Sequence, residues 1–366
     1  MNFTLYALYS LAGGGADLEH FTRTLPFDIA QGVRIEDVSG LLETDTFNLV
    51  RERMGKDDVE TLRGVTHALV HRYTPQAILD PESNEVVGEA QQEQASHELV
   101  RRIAACLRLI RPTRQSSEMM WGRIRDNGKL DVLGFDHPVN LMETPENQKL
   151  FSTRNEDADD LRVYAPEFLR AMCGLFWKFR MAIQFHELGH WQQWSPKGRY
   201  LLWASAIEAI YTSHGGEHKG SLVAKERIKW LLGENTSIYP AGELSDLLAD
   251  PNVTVGAIAD DLYEVRNFIA HGDRIPDWVF QDTLRDGFNG RVTVFQVLFE
   301  AQSFIIRKSL LKILRDNLLN HFADAAPAEA YFGGNGLTRT AIRARLHGGR
   351  PLANSSRRAD TQDRSR

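Results

Sequence analysis

The spacing of apolar residues changes near residue 165, and this change limits the folds open to the chain. From Ala165 to Phe322, apolar side chains recur every three or four residues, a period that places them on one face of a helix. Short polar loops that contain Gly or Pro interrupt the pattern. It predicts helices over residues 165–194, 198–213, 221–233, 256–272 and 290–322. Because helices joined by short loops pack as antiparallel neighbours, we expect an all-α helical bundle over residues 160–325.

The first 155 residues show a mixed pattern instead. The N-terminal residues predict a strand followed by a glycine turn, and residues 66–75 alternate as in a half-buried strand. Apolar runs on both sides of Asp126-Asn127-Gly128 predict a β-hairpin over residues 119–138. Residues 96–112 have helical spacing that begins at a Ser cap and stops at a Pro. We therefore expect an α+β N-terminal domain, of unknown role, over residues 1–155.

Two segments of biased composition mark the limits of these domains. Residues 143–162 are polar and acidic, with little apolar material to bury, so they are the expected domain boundary. Residues 333–366 are rich in Gly, Ser and Arg, and eight Arg but only two Asp lie between Asn335 and Arg366. A tail of this composition is expected to be disordered. Its positive charge would suit RNA or another acidic surface, although a solvated tail without a partner is the simpler interpretation.

Composition also excludes several classes of protein. No stretch approaches the roughly 18 apolar residues that a membrane span needs, so we expect no membrane association. Only Cys106 and Cys173 occur, each within an apolar helical pattern, which favours free thiols and a reducing, cytoplasmic setting. The net charge of -6 argues against bulk binding of DNA through positive charge, while leaving room for a local basic cleft.

The sequence His186-Glu187-Leu188-Gly189-His190 matches the H-E-x-x-H pattern of zinc hydrolases. Two His four residues apart on a helix face the same way and can reach one metal, while the Glu can act as general base. Glu208 lies eighteen residues after His190 and is a candidate third ligand. The alternative is an amphipathic packing helix whose two His happen to have this spacing. The surrounding sequence favours the packing helix, because no strand-rich sheet is predicted just before it.

A second motif lies at the end of the helix predicted over residues 256–272. Asn267 and His271 are four residues apart and share one face, where the amide can hydrogen-bond the imidazole and fix its tautomer. Arg266 lies about 140° away from His271 around an ideal helix. A second copy of the helix across a two-fold axis would bring both Arg and both His around one cleft. Gly272 ends the helix and leaves the imidazole open to a ligand.

The region from about 165 to 322 resembles a HEPN domain, most closely the ApeA-like HEPN group. The matching pieces are RYLLWASAIEAIYTS, KERIKWLLG, DLYEVRNFIAHG and the long closing helix. They cover somewhat under half of the chain. The signature of the family is an Arg, a polar residue, about three variable residues and a His, and it maps here onto Arg266, Asn267 and His271. The resemblance implies a HEPN-like helical bundle that dimerises to form one ribonuclease site, in a family found mostly in bacterial defence and toxin systems.

The activity implied by the resemblance is metal-independent RNA cleavage, with no cofactor, by a homodimer acting on an RNA substrate. His271 would move the protons and Arg266 would stabilise the charge that develops on the phosphate. HEPN-like domains also serve as non-catalytic dimerisation or nucleotide-binding modules, in which the same residues pack the interface. The presence of all three motif residues favours catalysis. The zinc-dependent hydrolase that uses His186, Glu187 and His190 is a third alternative.

Overall fold

The described residues of the computed structural model comprise most of the helical region and the main elements of the N-terminal part. They are residues 2–8, 22–38, 67–74, 77–79, 86–89, 92–111, 119–124, 130–136, 155–190, 195–215, 220–240, 250–283 and 292–346.

An antiparallel sheet forms the N-terminal part of the structure. Among the described residues it contains six strands, in the order β2-β3-β4-β1-β7-β8. β1 lies at the centre, where Thr4 is opposite His71 on one side and Trp121 on the other. The strands are β1 (Asn2–Leu8), β2 (Phe27–Ala30), β3 (Val33–Asp37), β4 (His67–Tyr73), β7 (Met119–Ile124) and β8 (Leu130–Asp136). A separate pair is formed by β5 (Ala77–Leu79) and β6 (Val86–Glu89).

The sheet agrees with the α+β prediction for this part of the chain. β4 occupies the alternating segment predicted over 66–75, and β1 is the predicted first strand. The predicted hairpin over 119–138 is confirmed by the antiparallel pairing of β7 with β8. Its turn residues, Asp126-Asn127-Gly128, and the glycine turn after β1 lie outside the described residues.

Helix α1 (Gln92–Ile110) packs against the sheet and begins four residues before the predicted start. The prediction treated Ser96 as a helix cap. Its hydroxyl instead donates to Thr4 Oγ1 on β1 (2.7 Å) and contacts His71 Nδ1 on β4 (2.8 Å). The side chain is thus used to join the helix to the sheet.

Eight further helices lie in the described residues from 155 onward. They are α2 (Asn155–Cys173), α3 (Trp177–Gly189), α4 (Pro196–Tyr211), α5 (Ser221–Leu232), α6 (Val255–His271), α7 (Val294–Arg315), α8 (Ala325–Gly334) and α9 (Arg339–Leu346). Two short pairs of strands accompany them: β9 (Ser237–Tyr239) with β10 (Asp250–Thr254), and β11 (Asp282–Thr283) with β12 (Val292–Thr293). None of the described helices is both long and apolar enough to cross a membrane.

The long helix predicted over 165–194 is two helices. The chain bends at Gly174, where an added Cβ would lie 2.8 Å from the Phe176 ring and 2.9 Å from the Arg170 carbonyl oxygen. Only glycine tolerates so close an approach. The first of the two helices, α2, begins at Asn155, so residues 155–162 of the polar segment predicted as a boundary are helical. Cys173 at its end is exposed, whereas Cys106 is buried, and both are free thiols.

The prediction of a disordered tail over 333–366 is wrong for residues 333–346. These residues complete α8 and form α9, and two apolar side chains of the segment, Leu337 and Ile342, are fully buried. Arg227 on α5 holds this segment, since it is paired with Glu329 and donates to the Leu337 carbonyl oxygen. Residues 347–366 lie outside the described residues.

Helix α1 connects the sheet to the helical region. It contacts α2 and α7 as well as β1 and β4, and one continuous hydrophobic core contains buried residues from both parts. At its end Arg111 forms an ion pair with Asp157 of α2, and both side chains are almost completely buried. A charge in such a position must be paired, because an isolated buried carboxylate is strongly unfavourable. The ion pair therefore holds the end of α1 against α2.

We expect Arg111→Ala to lower the free energy of unfolding by about 3 kcal/mol, because Asp157 would remain buried without this partner. Urea denaturation followed by circular dichroism measures the change. Arg170→Ala is the matched control, since Arg170 pairs with Glu167 at the surface of the same helix and should change stability by less than about 0.5 kcal/mol. Equal effects of the two substitutions would contradict the role assigned to the buried pair.

Candidate functional site

Helix α6 carries the Arg-Asn-His motif at its C-terminal end. The helix begins at a Thr254 cap, whose hydroxyl accepts from the Ala257 amide (3.2 Å), and ends at Gly272 in the left-handed conformation (φ 73°). Its buried side chains pack towards α4, α5 and α7: Val255, Ile258, Ala259, Leu262, Tyr263 and Val265. Burial of this face leaves the last turn of the helix with its polar residues at the surface.

Arg266 is held by an acidic residue of the neighbouring helix. Its guanidinium forms an ion pair with Glu208 of α4 (Nη2 to Oε1, 2.9 Å) and donates to the Asn267 side-chain oxygen (Nη1 to Oδ1, 3.3 Å). Both charged side chains are about one-third exposed. Glu208 was a candidate third zinc ligand by sequence, but it lies against Arg266 and is not part of the cluster formed by His186, Glu187 and His190.

His271 and Asn267 are exposed on the outside of α6. Both side chains are exposed on α6, as expected for residues four apart that share one face of a helix. The predicted hydrogen bond between them is not formed: Asn267 instead accepts from Arg266, and no hydrogen bond joins Asn267 to His271 in the described part of the chain. The imidazole is therefore accessible, and its tautomer is not fixed by Asn267.

A buried tyrosine lies on the inner side of the same helix turn. Tyr263 precedes Arg266 by three residues, and its hydroxyl is buried without a hydrogen-bond partner among the described residues. Burial raises the pKa of Tyr263 well above its ordinary value, and the negative charge of Glu208 adds to this effect. The phenol therefore remains neutral beneath the Glu208–Arg266 pair.

The second motif lies in the last turn of α3, away from the surface turn of α6. The imidazoles of His186 and His190 face each other, with their Nε2 atoms 3.4 Å apart. His186 is fully buried and His190 is partly exposed, but the Nδ1 atoms of both rings are buried without a hydrogen-bond partner. Burial lowers the pKa of each ring, and the neighbouring His186 lowers that of His190 further. Both rings are therefore neutral near pH 7, which is the form that binds a metal.

Glu187, which lies between the two histidines in the sequence, is already paired with an arginine. Glu187 forms a bidentate ion pair with Arg108, which lies in the last turn of α1. Burial alone would raise the pKa of Glu187, but the charge and hydrogen bonds of Arg108 lower it far below its ordinary value. A carboxylate in this state is a poor proton acceptor, so the geometry does not favour the general-base role of a zinc hydrolase. Sequence reasoning missed Arg108, because no local pattern signals a partner 79 positions away.

Helices α3 and α4 approach each other closely at Gly189. An added Cβ there would lie 2.2 Å from Nε1 of Trp203, the indole of which donates to the His186 carbonyl oxygen (3.0 Å). The same indole stacks on the His186 ring, with centroids 5.9 Å apart, and meets the His190 ring edge-on at 5.1 Å. The glycine of the HELGH segment is thus required by packing.

No family model matches the chain, and neither a curated protein nor a solved structure matches it. The resemblance to HEPN domains therefore rests on the sequence alone.

We expect Gly189→Ala to lower the free energy of unfolding by roughly 2 kcal/mol, since the new methyl group would force Trp203 and α4 away from α3. Gly334→Ala, at the end of α8, is the matched control because a Cβ there meets nothing within 4 Å. The control should leave stability unchanged or slightly higher. Denaturation curves of both variants measure the difference, and an unchanged Gly189→Ala midpoint would contradict the close approach.

Proposed function

We propose that the chain is a metal-independent RNA endonuclease of HEPN type that acts as a homodimer. The observation that supports this best is the last turn of α6, which carries an exposed His271 and an Arg266 that is ion-paired with Glu208. A surface imidazole and a positioned guanidinium are the groups that phosphodiester transfer requires. An RNA strand can reach both without entering a pocket.

The reaction uses the ribose 2'-hydroxyl as the nucleophile. One His271 removes the 2'-hydroxyl proton as the oxygen attacks phosphorus, and a second imidazole donates a proton to the departing 5'-oxygen. Arg266 stabilises the negative charge that grows on the non-bridging oxygens. The products are a 2',3'-cyclic phosphate and a free 5'-hydroxyl. DNA lacks the 2'-hydroxyl and is not cleaved.

The separation of Arg266 and His271 on a single helix explains why the proposed site requires a dimer. Arg266 and His271 lie about 140° apart around α6, so one copy presents them on different flanks. A two-fold axis beside the C-terminal turn of α6 gives one cleft with two Arg and two His, which supplies both the base and the acid. Glu208 neutralises part of the charge of each Arg266 and limits its rotamers, so Glu208 acts as a positioning residue.

The biological setting follows from the same resemblance. We assign the protein to the cytoplasm, which is supported by two free thiols, one of them exposed. The activity fits a defence or toxin effector, in which the sheet and α1 sense a signal or position the nuclease. The non-catalytic alternative keeps the dimer but cleaves no RNA.

We expect the purified protein to cleave single-stranded RNA in EDTA and to leave a 2',3'-cyclic phosphate. Arg266→Ala and His271→Ala should each lower the rate by about 100-fold or more, since each removes a transition-state or proton-transfer interaction. Arg274→Ala and His321→Ala are the matched controls, because both residues are exposed and lie outside the motif. Gel assays with labelled RNA measure the rates. Loss of RNA cleavage in EDTA, or full activity of both motif variants, would overturn the proposal.

Mixing two inactive variants tests whether the site is shared between copies. We expect Arg266→Ala and His271→Ala homodimers to regain part of the wild-type rate after they are mixed and allowed to exchange subunits. The heterodimer has one intact Arg266 and one intact His271 in its cleft, so it combines the charge stabilisation with one of the two proton transfers, whereas each homodimer lacks one of the two kinds of group. Multi-angle light scattering gives the oligomeric state in parallel. A monomer with full activity would contradict the shared site, and a dimer without RNA cleavage by the wild type would favour the non-catalytic module.

A further inference from the structure

We propose that His186 and His190 bind one divalent transition-metal ion, of which Zn²⁺ is the best fit, in a site separate from the α6 motif. The site lies in the last turn of α3, beside Trp203 of α4 and Arg108 of α1. Its role is structural, because the carboxylate that a hydrolase would use as its base is bound to Arg108. The proposal is independent of RNA cleavage.

The spacing of the two imidazoles is that of ligands on one tetrahedral ion. With Zn–N bonds of about 2.0–2.1 Å and a tetrahedral angle, two nitrogen ligands lie about 3.3–3.4 Å apart. The Nε2 atoms of His186 and His190 are 3.4 Å apart. A direct hydrogen bond between two neutral rings would normally be shorter, near 3 Å. The rings are thus spaced as though an ion were between them, and both present the Nε2 atom.

The remaining ring nitrogens give a second, independent indication. Nδ1 of each ring is buried and has no hydrogen-bond partner in the described residues. If the two rings only shared a hydrogen bond, one Nδ1 would carry a proton and the other would be a buried lone pair with no donor among the described residues. In a metal site both Nδ1 atoms carry protons, and that of His186 lies 3.6 Å from a carboxylate oxygen of Glu187.

Glu187 therefore has the position of an outer-shell carboxylate. Metal-binding histidines commonly donate their second N–H to a carboxylate, which fixes the tautomer and makes the ring a better ligand. Arg108 holds Glu187 in place for this contact and balances its charge. A contraction of about 0.5 Å between His186 Nδ1 and Glu187 would turn the present contact into an ordinary hydrogen bond.

The surroundings suit a small ion and not a large substrate. His186 is fully buried, Trp203 covers both rings, and the ligand atoms of His186, Glu187 and His190 all lie within 4.8 Å of one another. His190 is partly exposed, which leaves a route for the ion from solvent. Imidazole ligands favour zinc and neighbouring transition metals over Mg²⁺ or Ca²⁺. The other coordination positions are filled by water.

The test measures metal on the full chain. After incubation with one equivalent of Zn²⁺ and gel filtration, we expect inductively coupled plasma mass spectrometry to find about one Zn per chain. The Tm of the zinc-loaded protein should be higher than its Tm in EDTA. His190→Ala should retain no zinc, and Glu187→Gln should weaken zinc binding by about 10–100-fold. His321→Ala is the control and should bind zinc like the wild type. Circular dichroism confirms that each variant is folded.

A second measurement on the wild type avoids dependence on the variants. Co²⁺ bound by two imidazoles in a four-coordinate site gives visible absorption bands that a six-coordinate aqueous ion lacks, and Zn²⁺ should displace it. No retained zinc, no Tm shift and no cobalt bands in the wild type would overturn the proposal. Zinc retained equally by folded His190→Ala and the wild type would also overturn it.

Discussion

The ion pairs at the end of α1 determine how the two parts of the protein meet. Arg108 and Arg111 lie one turn apart and reach two different helices, through Glu187 of α3 and Asp157 of α2. Each pair is largely shielded from water, so the loss of either partner would leave a charge in a poorly solvated place. Hydrophobic burial alone allows α2 and α3 to slide against α1, but these pairs specify one arrangement. The position of the HELGH segment follows from that arrangement.

Local patterns in the sequence were enough to predict most of the longer elements. Helical spacing gave the core of α4, α5 and α6 to within two residues at each end, and the Asp126-Asn127-Gly128 signal predicted the pairing of β7 with β8. The failures depend on contacts that the spacing of apolar residues does not show. The predicted long helix is interrupted at Gly174, where Phe176 packs closely against the glycine. The segment that contains α9 is ordered because Leu337 and Ile342 are buried in the core. Composition alone could not reveal such partners.

The two His motifs differ in what can reach them. His271 is exposed at a helix end, where a polymer can approach from solvent, whereas His186 is fully buried and stacks with Trp203. Both motifs have the same spacing of four residues between polar side chains. Spacing predicted that each pair would share a helix face, but it did not predict that one pair would be exposed and that His186 of the other would be buried.

Helix α4 supports both sites from one rigid element. Trp203 packs on the imidazoles of α3, and Glu208, five residues later and about 140° around the helix, holds Arg266 of α6. The close approach of Gly189 to Trp203 sets the position of α4 against α3, and the Tyr200 hydroxyl donates to the Leu262 carbonyl oxygen and sets it against α6 (2.9 Å). Because a packed helix shifts as a unit, a displacement at Trp203 also moves Glu208. The position of Arg266 at the surface therefore depends on packing that begins at the buried His186.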